Sequence, residues 1–174
     1  MRTTEGLGPQ DRAAIIAVCN AANDTDAFHE LFSLIPSGGR HFFAYDGDSV
    51  VSHAVVTTRW AQPDRHKPLE TAYVDAVATS PAHQGRGHAS AVMRSLADGI
   101  DDYEIGCLQT DKAGFYERLG WELWRGPLAG REEDGSLTPT PHQKGVMVLR
   151  LPSTPAIDPG TTLTIERQPS RIWE

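Results

Sequence analysis

Apolar residues recur along the chain at two spacings, and each spacing predicts a different kind of element. Residues 9–23 carry apolar side chains every three or four positions, which predicts an amphipathic helix beginning at a proline. A second helix is predicted over residues 26–36, from an aspartate suited to the N-cap position to a proline. Residues 41–45 and 49–59 are typical of strands, and the Asp-Gly-Asp sequence at 46–48 predicts a hairpin turn between them.

The second half of the chain begins with a strand, a glycine turn and a helix. A β-branched and apolar run at 71–80 predicts a buried strand, the turn spans 84–89, and the apolar face of the next helix runs from 91 to 100. The other predicted elements are a strand at 103–109, a helix at 112–119 ended by Gly120, strands at 122–124 and 146–151, an edge strand at 161–167, and loops at 61–68 and 126–145. The longer loop is interpreted either as a lid or substrate loop or as a flexible connection.

Charge and cysteine content narrow the class of protein. The 174 residues include 16 basic and 23 acidic side chains, and the resulting net charge of −7 argues against nucleic acid as a partner. Cys19 and Cys107 are too few for a disulfide framework and suit a reducing cytosol, although a bridge between them stays open. Seven scattered histidines, none paired at the i, i+4 spacing, favour packed or solvated rings over a metal site.

Length and the absence of targeting signals give the expected context. A chain of 174 residues is expected to form a single domain over residues 1–174. The first residues lack the apolar core of a signal peptide, and no apolar run is long enough to cross a membrane. We therefore expect a cytoplasmic protein that does not contact membranes.

The glycine turn between the buried strand and the helix is a candidate anion site. It reads Gln84-Gly85-Arg86-Gly87-His88-Ala89. Backbone N–H groups at a helix N-terminus converge on a bound anion, glycine lets phosphate oxygens approach closely, and Arg86 adds a positive charge. A pyrophosphate fits this description. By itself the turn is weak evidence, because a glycine turn between a strand and a helix is more often a plain connection and its spacing matches neither a Walker loop nor a full dinucleotide fingerprint.

A second motif about thirty residues later gives the turn its meaning. Phe115-Tyr116-Glu117-Arg118-Leu119-Gly120-Trp121 begins on a predicted helix and ends in a glycine stop and an aromatic residue. Gln-x-x-Gly-x-Ala after a strand, followed by Tyr-x-x-x-Gly-Trp, resembles the acetyl-CoA-binding and C-terminal motifs of the GCN5-related N-acetyltransferases (GNATs). The resemblance covers roughly residues 10 to 151.

The resemblance implies an α+β fold with a mixed, mostly antiparallel central sheet flanked by helices, in which a V-shaped splay of strands binds acetyl-CoA. It implies that Val77 and Ala78, in a bulged strand end, bind the pantetheine arm, and that the Val77 N–H polarises the thioester carbonyl. The pyrophosphate would be held by the loop that Gln84 opens, through Gly85, Arg86, Gly87, His88 and Ala89. Tyr116 matches the family's general acid, which protonates the departing CoA thiolate; its alternative reading is a half-buried helix tyrosine.

The transfer also needs a base, because an amine with the reference pKa of lysine is neutral in well under about one part in a thousand at pH 7. Asp75 is the candidate, since it is the one acid in an otherwise apolar strand. We expect it to act through a water molecule. The alternative is a structural salt bridge to an arginine such as Arg59.

Further residues are similar to those of the aminoglycoside 2'-N-acetyltransferases within the family. The similar features are the Tyr73-Val74-Asp75 strand, Gly120-Trp121, Gly126-Pro127 and a chain that ends on an aromatic residue beside acidic groups. This resemblance implies a pocket for a polycationic sugar, with Trp173 and Glu174 matching its C-terminal positions and Asp24 and Asp26 its acidic helical segment. Carboxylates and aromatic faces suit such a substrate.

Two departures from this pattern bear on the substrate. Arg171 stands where the family carries an aspartate, and His142-Gln143-Lys144 replaces an acidic run. Carboxylates that face deoxystreptamine amines are therefore missing. Kasugamycin contains an inositol and a carboxylate that Arg171 could pair with, so the sequence predicts kasugamycin as the leading substrate, with Asp75 and His142 also near it.

The partners expected are therefore acetyl-CoA and a small aminoglycoside, without a metal cofactor. Two alternatives stay open: a GNAT enzyme that acetylates another small primary amine or polyamine, and a module that binds acetyl-CoA without catalysis. A homodimer is also possible if Trp60, Trp124 and Trp173 leave apolar surface exposed, although each could equally be a core residue.

Overall fold

The chain forms two compact units in a computed structural model that describes residues 1–168 and 173. The first unit comprises Met1–Thr57 and Val74–Gly99, and the second comprises Thr58–Tyr73 and Ile100–Glu174. Each unit is therefore assembled from two separate segments of the sequence. The expectation that residues 1–174 make a single domain stays a prediction.

The helices of the first unit are α1 (Pro9–Asn23), α2 (Leu31–Leu34) and α3 (His88–Asp98). The predicted bounds of α1 are confirmed: Asp11 accepts a hydrogen bond from the Gly8 N–H at 3.1 Å, and Asp24 ends the helix in the left-handed conformation at φ 50°. The continuous helix expected at 26–36 is wrong. A 3-10 turn precedes the short α2 there, because the Phe28 N–H bonds the Asn20 side chain at 3.0 Å.

The strands of the first unit are β1 (Arg2–Thr3), β2 (Arg40–Asp46) and parts of β3 (Ser49–Pro63) and β4 (Leu69–Thr79). Strands β2 and β3 pair antiparallel across a turn in which Gly47 has φ 57°, as the Asp-Gly sequence predicts. One core cluster of this unit is formed by Leu7, which precedes α1, and by buried side chains from α1, α2 and β4; these are Ile15, Val18, Cys19, Leu31 and Ala78.

The second unit contains most of the strands. Its strand order is β6-β9-β5-β4-β3-β10-β7-β8. Strand β3 contributes the part after Thr57 to this unit, and strand β4 contributes the part before Val74. The elements new to this unit are β5 (Ile105–Gln109), α4 (Ala113–Glu117), β6 (Glu122–Leu123), β7 (Leu128–Arg131), β8 (Leu137–Pro139), β9 (Val146–Arg150) and β10 (Leu163–Glu166). Strands β10 and β7 are parallel, whereas β5–β9, β6–β9, β7–β8 and β3–β10 are antiparallel. The sheet is mixed and mostly antiparallel, as expected.

Three expectations about the loops and the last strand are wrong. Strand β3 continues to Pro63 into the predicted loop at 61–68, and the predicted loop at 126–145 contains the β7–β8 hairpin, whose turn places Gly135 at φ 82°. Strand β10 lies between β3 and β7 and is not an edge strand. Leu163, Thr164 and Ile165 are all buried, which agrees with a strand that has a neighbour on each edge.

The tryptophans and cysteines are mostly internal. Trp124 and Trp173 are 4% and 1% exposed and belong to the core of the second unit, so among the three tryptophans considered for a dimer surface Trp60 alone is exposed. Cys19 and Cys107 are buried and form no disulfide bridge. Over residues 1–168 and 173, no helix combines the length and the apolar character needed to span a bilayer.

Gly145 provides a test of the close packing in the second unit. It has φ 73°, its carbonyl accepts the Thr110 N–H at 2.9 Å, and a Cβ added to it would overlap the Thr110 carbonyl. We expect Gly145→Ala to lower the free energy of unfolding by clearly more than Gly135→Ala. Gly135 also has positive φ, but open space surrounds it, so its variant should cost about 1 kcal/mol of strain alone. Urea unfolding of both variants measures the difference, and equal losses would contradict the overlap.

Candidate active site

Strand β4 changes character at Asp75, where the first unit presents its candidate chemistry. Residues 71–74 are buried, whereas Asp75, Ala76 and Val77 are half-buried, and Ala76 has φ 49°. A left-handed residue inside a strand is the signature of a bulge, which turns neighbouring backbone groups away from the regular ladder. The interruption of the strand agrees with the bulge that the family resemblance implies.

The side chain of Ala78 returns to the core, at 4% exposure, and the Ala78 carbonyl accepts the Ser52 hydroxyl at 2.9 Å. The strand therefore resumes its normal alternation one residue after Val77. Ala78 can contribute to a bound ligand through its backbone alone.

The glycine turn leads directly into the N-terminus of α3. Gly85 and Gly87 have φ values of 74° and 85°, and an added Cβ at either would meet no atom within 4 Å. Gly87 is the N-cap of this eleven-residue helix, and none of the described residues caps it through a side chain. The first-turn amides of α3 therefore have no side-chain acceptor and carry the positive end of the helix dipole, which suits an anionic ligand.

The side chains around the turn are arranged to leave its backbone open. Gln84 and Arg86 are exposed, and the Gln84 side-chain amide donates to the Thr79 carbonyl at 3.1 Å, which ties the turn to the end of β4. His88 and Ala89 are half-buried in the first turn of α3. A flexible cation, Arg86, thus lies beside amides that present partial positive charge.

Tyr116 lies in the second unit, in the short helix α4. Its side chain is 7% exposed and contacts the rings of Phe115 and Trp121 edge-on, at centroid distances of 4.9 and 6.2 Å. Gly120, at φ 87°, ends the turn, and the Trp121 N–H donates to the Tyr116 carbonyl at 3.2 Å. The Tyr-x-x-x-Gly-Trp motif is therefore one packed structural unit that fixes the tyrosine ring.

Burial, with a smaller effect from the charge of Asp111, raises the pKa of Tyr116 to about 12. The cause is desolvation, which disfavours the phenolate in a poorly hydrated environment. Tyr116 is therefore a neutral phenol with a proton to donate across the physiological pH range.

The predicted substrate residues fall into three groups. Asp24 and Asp26 are exposed at the end of α1 and before the 3-10 turn, and His142 is exposed between β8 and β9. Arg171 and Glu174 lie outside the described residues. The indole of Trp173 is packed in the core, with its Nε1–H on the Thr140 hydroxyl at 3.2 Å and its carbonyl accepting the Tyr73 hydroxyl. The expectation of an open aromatic face at Trp173 is therefore not met.

Arg59, considered above as an ion-pair partner of Asp75, is a fully buried residue of the second unit. Its guanidinium donates to the Glu166 carbonyl at 2.6 Å, meets the Glu166 carboxylate at 3.4 Å, and lies 4.7 Å from the centroid of the Tyr73 ring. This charge is thus held by a carboxylate, a carbonyl and a π face, which together offset its desolvation.

Sequence reasoning missed a buried group beside Ala76. The ring of His53, on β3, approaches the Ala76 carbonyl with its Nδ1 at 3.1 Å. No local motif marks His53. The one signal is the alternation of side chains along two paired strands. His41 and Phe43 lie on one face of β2, and their partners in register, Val55 and His53, lie on the same face of β3.

Comparisons with known proteins identify the family of the chain. A family model described as an acetyltransferase (GNAT) domain matches residues 10–124. The aminoglycoside 2'-N-acetyltransferase of Mycolicibacterium fortuitum is 31% identical over 157 residues, which cover 87% of this chain and 76% of that protein.

Solved structures give the same fold. The GNAT family N-acetyltransferase YhbS from Escherichia coli, in complex with CoA, superposes with a TM-score of 0.65 at 18% identity, over 96% of this chain and 88% of YhbS. Eis1 from Mycobacterium abscessus gives a TM-score of 0.62 at 18% identity over 70% of this chain. The chain spans 32% of the length of Eis1.

The fold and the family match together define an acetyltransferase. The chain belongs to the GNAT family, and its predicted GNAT fold is confirmed.

Tyr116→Phe tests the role of the phenol. We expect kcat to fall by about 10²- to 10⁴-fold, because that is the usual contribution of general acid catalysis, with the Kd of acetyl-CoA nearly unchanged. Tyr45→Phe, a change at an exposed tyrosine of the first unit, is the matched control and should keep wild-type kcat. An unchanged kcat in Tyr116→Phe would remove Tyr116 from the chemistry.

A second test of this role uses the raised pKa of Tyr116. A phenol that acts as the proton donor is active only when protonated, so activity would be lost as pH rises through its pKa in the folded protein. With that pKa at about 12, the kcat profile should show no tyrosine-dependent fall near pH 10, where an ordinary phenol ionises. A stopped-flow pH–rate profile checks this, and a fall near pH 10 that disappears in Tyr116→Phe would contradict it.

Proposed function

We propose that this acetyltransferase transfers the acetyl group of acetyl-CoA to the 2' amine of an aminoglycoside and thereby confers resistance. The observation that carries the proposal is the 31% identity to an aminoglycoside 2'-N-acetyltransferase over 87% of the chain. The acidic net charge of −7 adds support, because it attracts a polycationic substrate.

The first unit supplies the groups proposed to bind acetyl-CoA. Amides of Arg86, Gly87 and Ala89 would hold the pyrophosphate at the uncapped start of α3, with Gln84 fixing the turn and Arg86 adding charge. The backbone of Val77 and Ala78 would bind the pantetheine arm, and the Val77 N–H would donate to the thioester carbonyl. This donation stabilises the oxygen that becomes negative when the amine attacks.

The proposed chemistry is direct acyl transfer. Asp75 first accepts a proton from the ammonium form of the amine through a water molecule, which its half-buried position permits. The neutral amine then attacks the thioester carbon and a new C–N bond forms. The tetrahedral intermediate then collapses, the C–S bond breaks, and Tyr116 protonates the departing thiolate, so that amide and CoA thiol leave as neutral groups. The second proton on nitrogen is released through solvent, which restores the Tyr116 proton after the thiolate has been protonated.

Exposed carboxylates of the first unit suit an amino sugar. Asp24 and Asp26 lie on the surface between α1 and α2, and each can pair with an ammonium group. We propose kasugamycin as the leading substrate, because Arg171 and the His142-Gln143-Lys144 segment replace carboxylates suited to deoxystreptamine amines. The buried Trp173 ring takes no stacking role in this proposal.

Asp75→Asn tests the proposed base. The variant keeps the size and half-buried position of the side chain but cannot accept the amine proton. We expect kcat to fall by about 10²-fold or more at pH 7. The loss should be smaller at high pH, where free neutral amine becomes abundant. Asp26→Asn is the control for lost negative charge and should affect KM more than kcat. A uniform loss at every pH would contradict the role of Asp75 as base.

A substrate panel tests the acceptor. Purified protein with acetyl-CoA is offered kasugamycin, kanamycin, gentamicin and spermidine, and the product is located by mass spectrometry and NMR. We expect acetylation at the 2' amine, with the highest kcat/KM for kasugamycin. Turnover of kanamycin with none of kasugamycin would overturn that substrate, and turnover of spermidine alone would overturn the aminoglycoside assignment.

A further inference from the structure

Two histidines lie fully buried in the first unit and touch each other. His41 on β2 and His53 on β3 are both 0% exposed, their ring centroids are 5.2 Å apart, and His41 Nδ1 lies 2.9 Å from His53 Nε2. The rings of Phe32 and Phe43 pack around them at centroid distances of 5.8 Å from His41 and 5.6 Å from His53. Polar rings in an aromatic core are costly unless every nitrogen is hydrogen-bonded.

The hydrogen bonds of this pair have a single consistent direction. The Ala76 carbonyl accepts hydrogen bonds and cannot donate, so His53 Nδ1, at 3.1 Å, must carry a hydrogen. In a neutral ring, His53 Nε2 then accepts from His41 Nδ1, and His41 Nε2 accepts from the Thr4 hydroxyl at 3.0 Å. The Gly39 carbonyl, also near that hydroxyl, is already served by the Thr4 N–H at 2.8 Å. Thr4, His41 and His53 therefore form a hydrogen-bond relay, in which each group donates to the next and His53 donates to the Ala76 carbonyl.

The charge state of the rings agrees with this direction. Burial, reinforced by the neighbouring His41 and opposed by the hydrogen bond to Ala76, lowers the pKa of His53 to about 3. Burial, reinforced by the positive charge of Arg12 and opposed by Glu5, lowers the pKa of His41 to about 4. Both rings are therefore neutral at pH 7, as the tautomer assignment requires.

The receiving carbonyl belongs to a peptide group with a proposed task. The Ala76 C=O and the Val77 N–H are parts of the same planar, trans peptide unit, so they point in opposite directions. The Cys19 thiol also approaches the Ala76 carbonyl, at 4.0 Å. Fixing the oxygen from α1 and β3 therefore fixes where the Val77 hydrogen points.

We propose that His53, supported by His41 and Thr4, is a positioning residue that holds the Ala76–Val77 peptide unit so that the Val77 N–H is aimed at the thioester carbonyl. This inference rests on the proposed role of the Val77 amide. The relay acts in two ways. It holds Ala76 at φ 49°, a left-handed conformation that is unfavourable for a residue with a Cβ atom. It also polarises the peptide group, because donation to a carbonyl strengthens the N–H of the same amide as a donor.

A merely structural role for His53 predicts a different pattern from a positioning role. Were the pair only a core filler, replacing His53 with an apolar residue of similar volume would change stability and leave catalysis intact. In a positioning role, the turnover rate depends on an N–H donor at the Nδ1 position more than on the imidazole ring itself. An asparagine carries its amide nitrogen at the position of Nδ1 and can still donate to Ala76, whereas a leucine cannot.

The test compares His53→Leu and His53→Asn with Val56→Ala. Val56 is a fully buried residue of β3 that pairs with Arg40 on β2, so Val56→Ala controls for a weakened core. We expect His53→Leu to lower kcat by about 10- to 100-fold, less than the full loss of an oxyanion donor, with little change in the Kd of CoA. His53→Asn should recover most of that rate, and Val56→Ala should alter the melting temperature without altering kcat. A kcat of His53→Leu equal to that of Val56→Ala would overturn the proposal.

Nuclear magnetic resonance of the free wild-type protein provides a readout that requires neither a substrate nor a variant. Long-range ¹H–¹⁵N spectra should show both rings neutral with hydrogen on Nδ1 at pH 7. Hydrogen on Nε2 of His53 would overturn the relay. If no amine is acetylated, the proposed function fails, and these spectra still decide whether the relay exists.

Discussion

One hydrogen bond, from a buried imidazole to a carbonyl in the middle of a strand, sets the conditions for the candidate site in the first unit. A regular β4 would bury or pair its backbone groups in the ladder. The left-handed Ala76 breaks that regularity, and the break needs a donor for the carbonyl that it displaces. His53 supplies this donor from β3, and α1 supplies the Cys19 thiol. The packing of the unit's core is thus also what shapes its chemistry.

The same principle of a fixed local conformation governs the second unit. Tyr116 is held by ring contacts on either side and by a left-handed glycine that brings Trp121 back to its carbonyl. The burial that fixes the ring also keeps its proton in place, since a phenolate would be poorly solvated there. Position and protonation state therefore have one cause.

The elements that could be predicted from the sequence were those with strong local signals. The bounds of α1 followed from Pro9 and the helical spacing, and the β2–β3 hairpin followed from Asp46-Gly47. The β7–β8 hairpin was missed because its strands have only four and three residues, in a segment rich in glycine and proline, and because β10, the other partner of β7, is distant in sequence. The His41–His53 pair was missed for a similar reason: its partners meet through strand register, and the hydrogen bond to Ala76 spans 23 residues.

The concealment of both sulfur atoms has a practical consequence for enzymology. Cys19 is inaccessible, and burial raises the pKa of its thiol to about 12, so almost no thiolate exists near neutral pH. Cys107 is equally inaccessible. Chromogenic disulfide reagents that report released coenzyme should therefore react with the product and spare the folded enzyme, which makes continuous assays with low background feasible without mutating either cysteine.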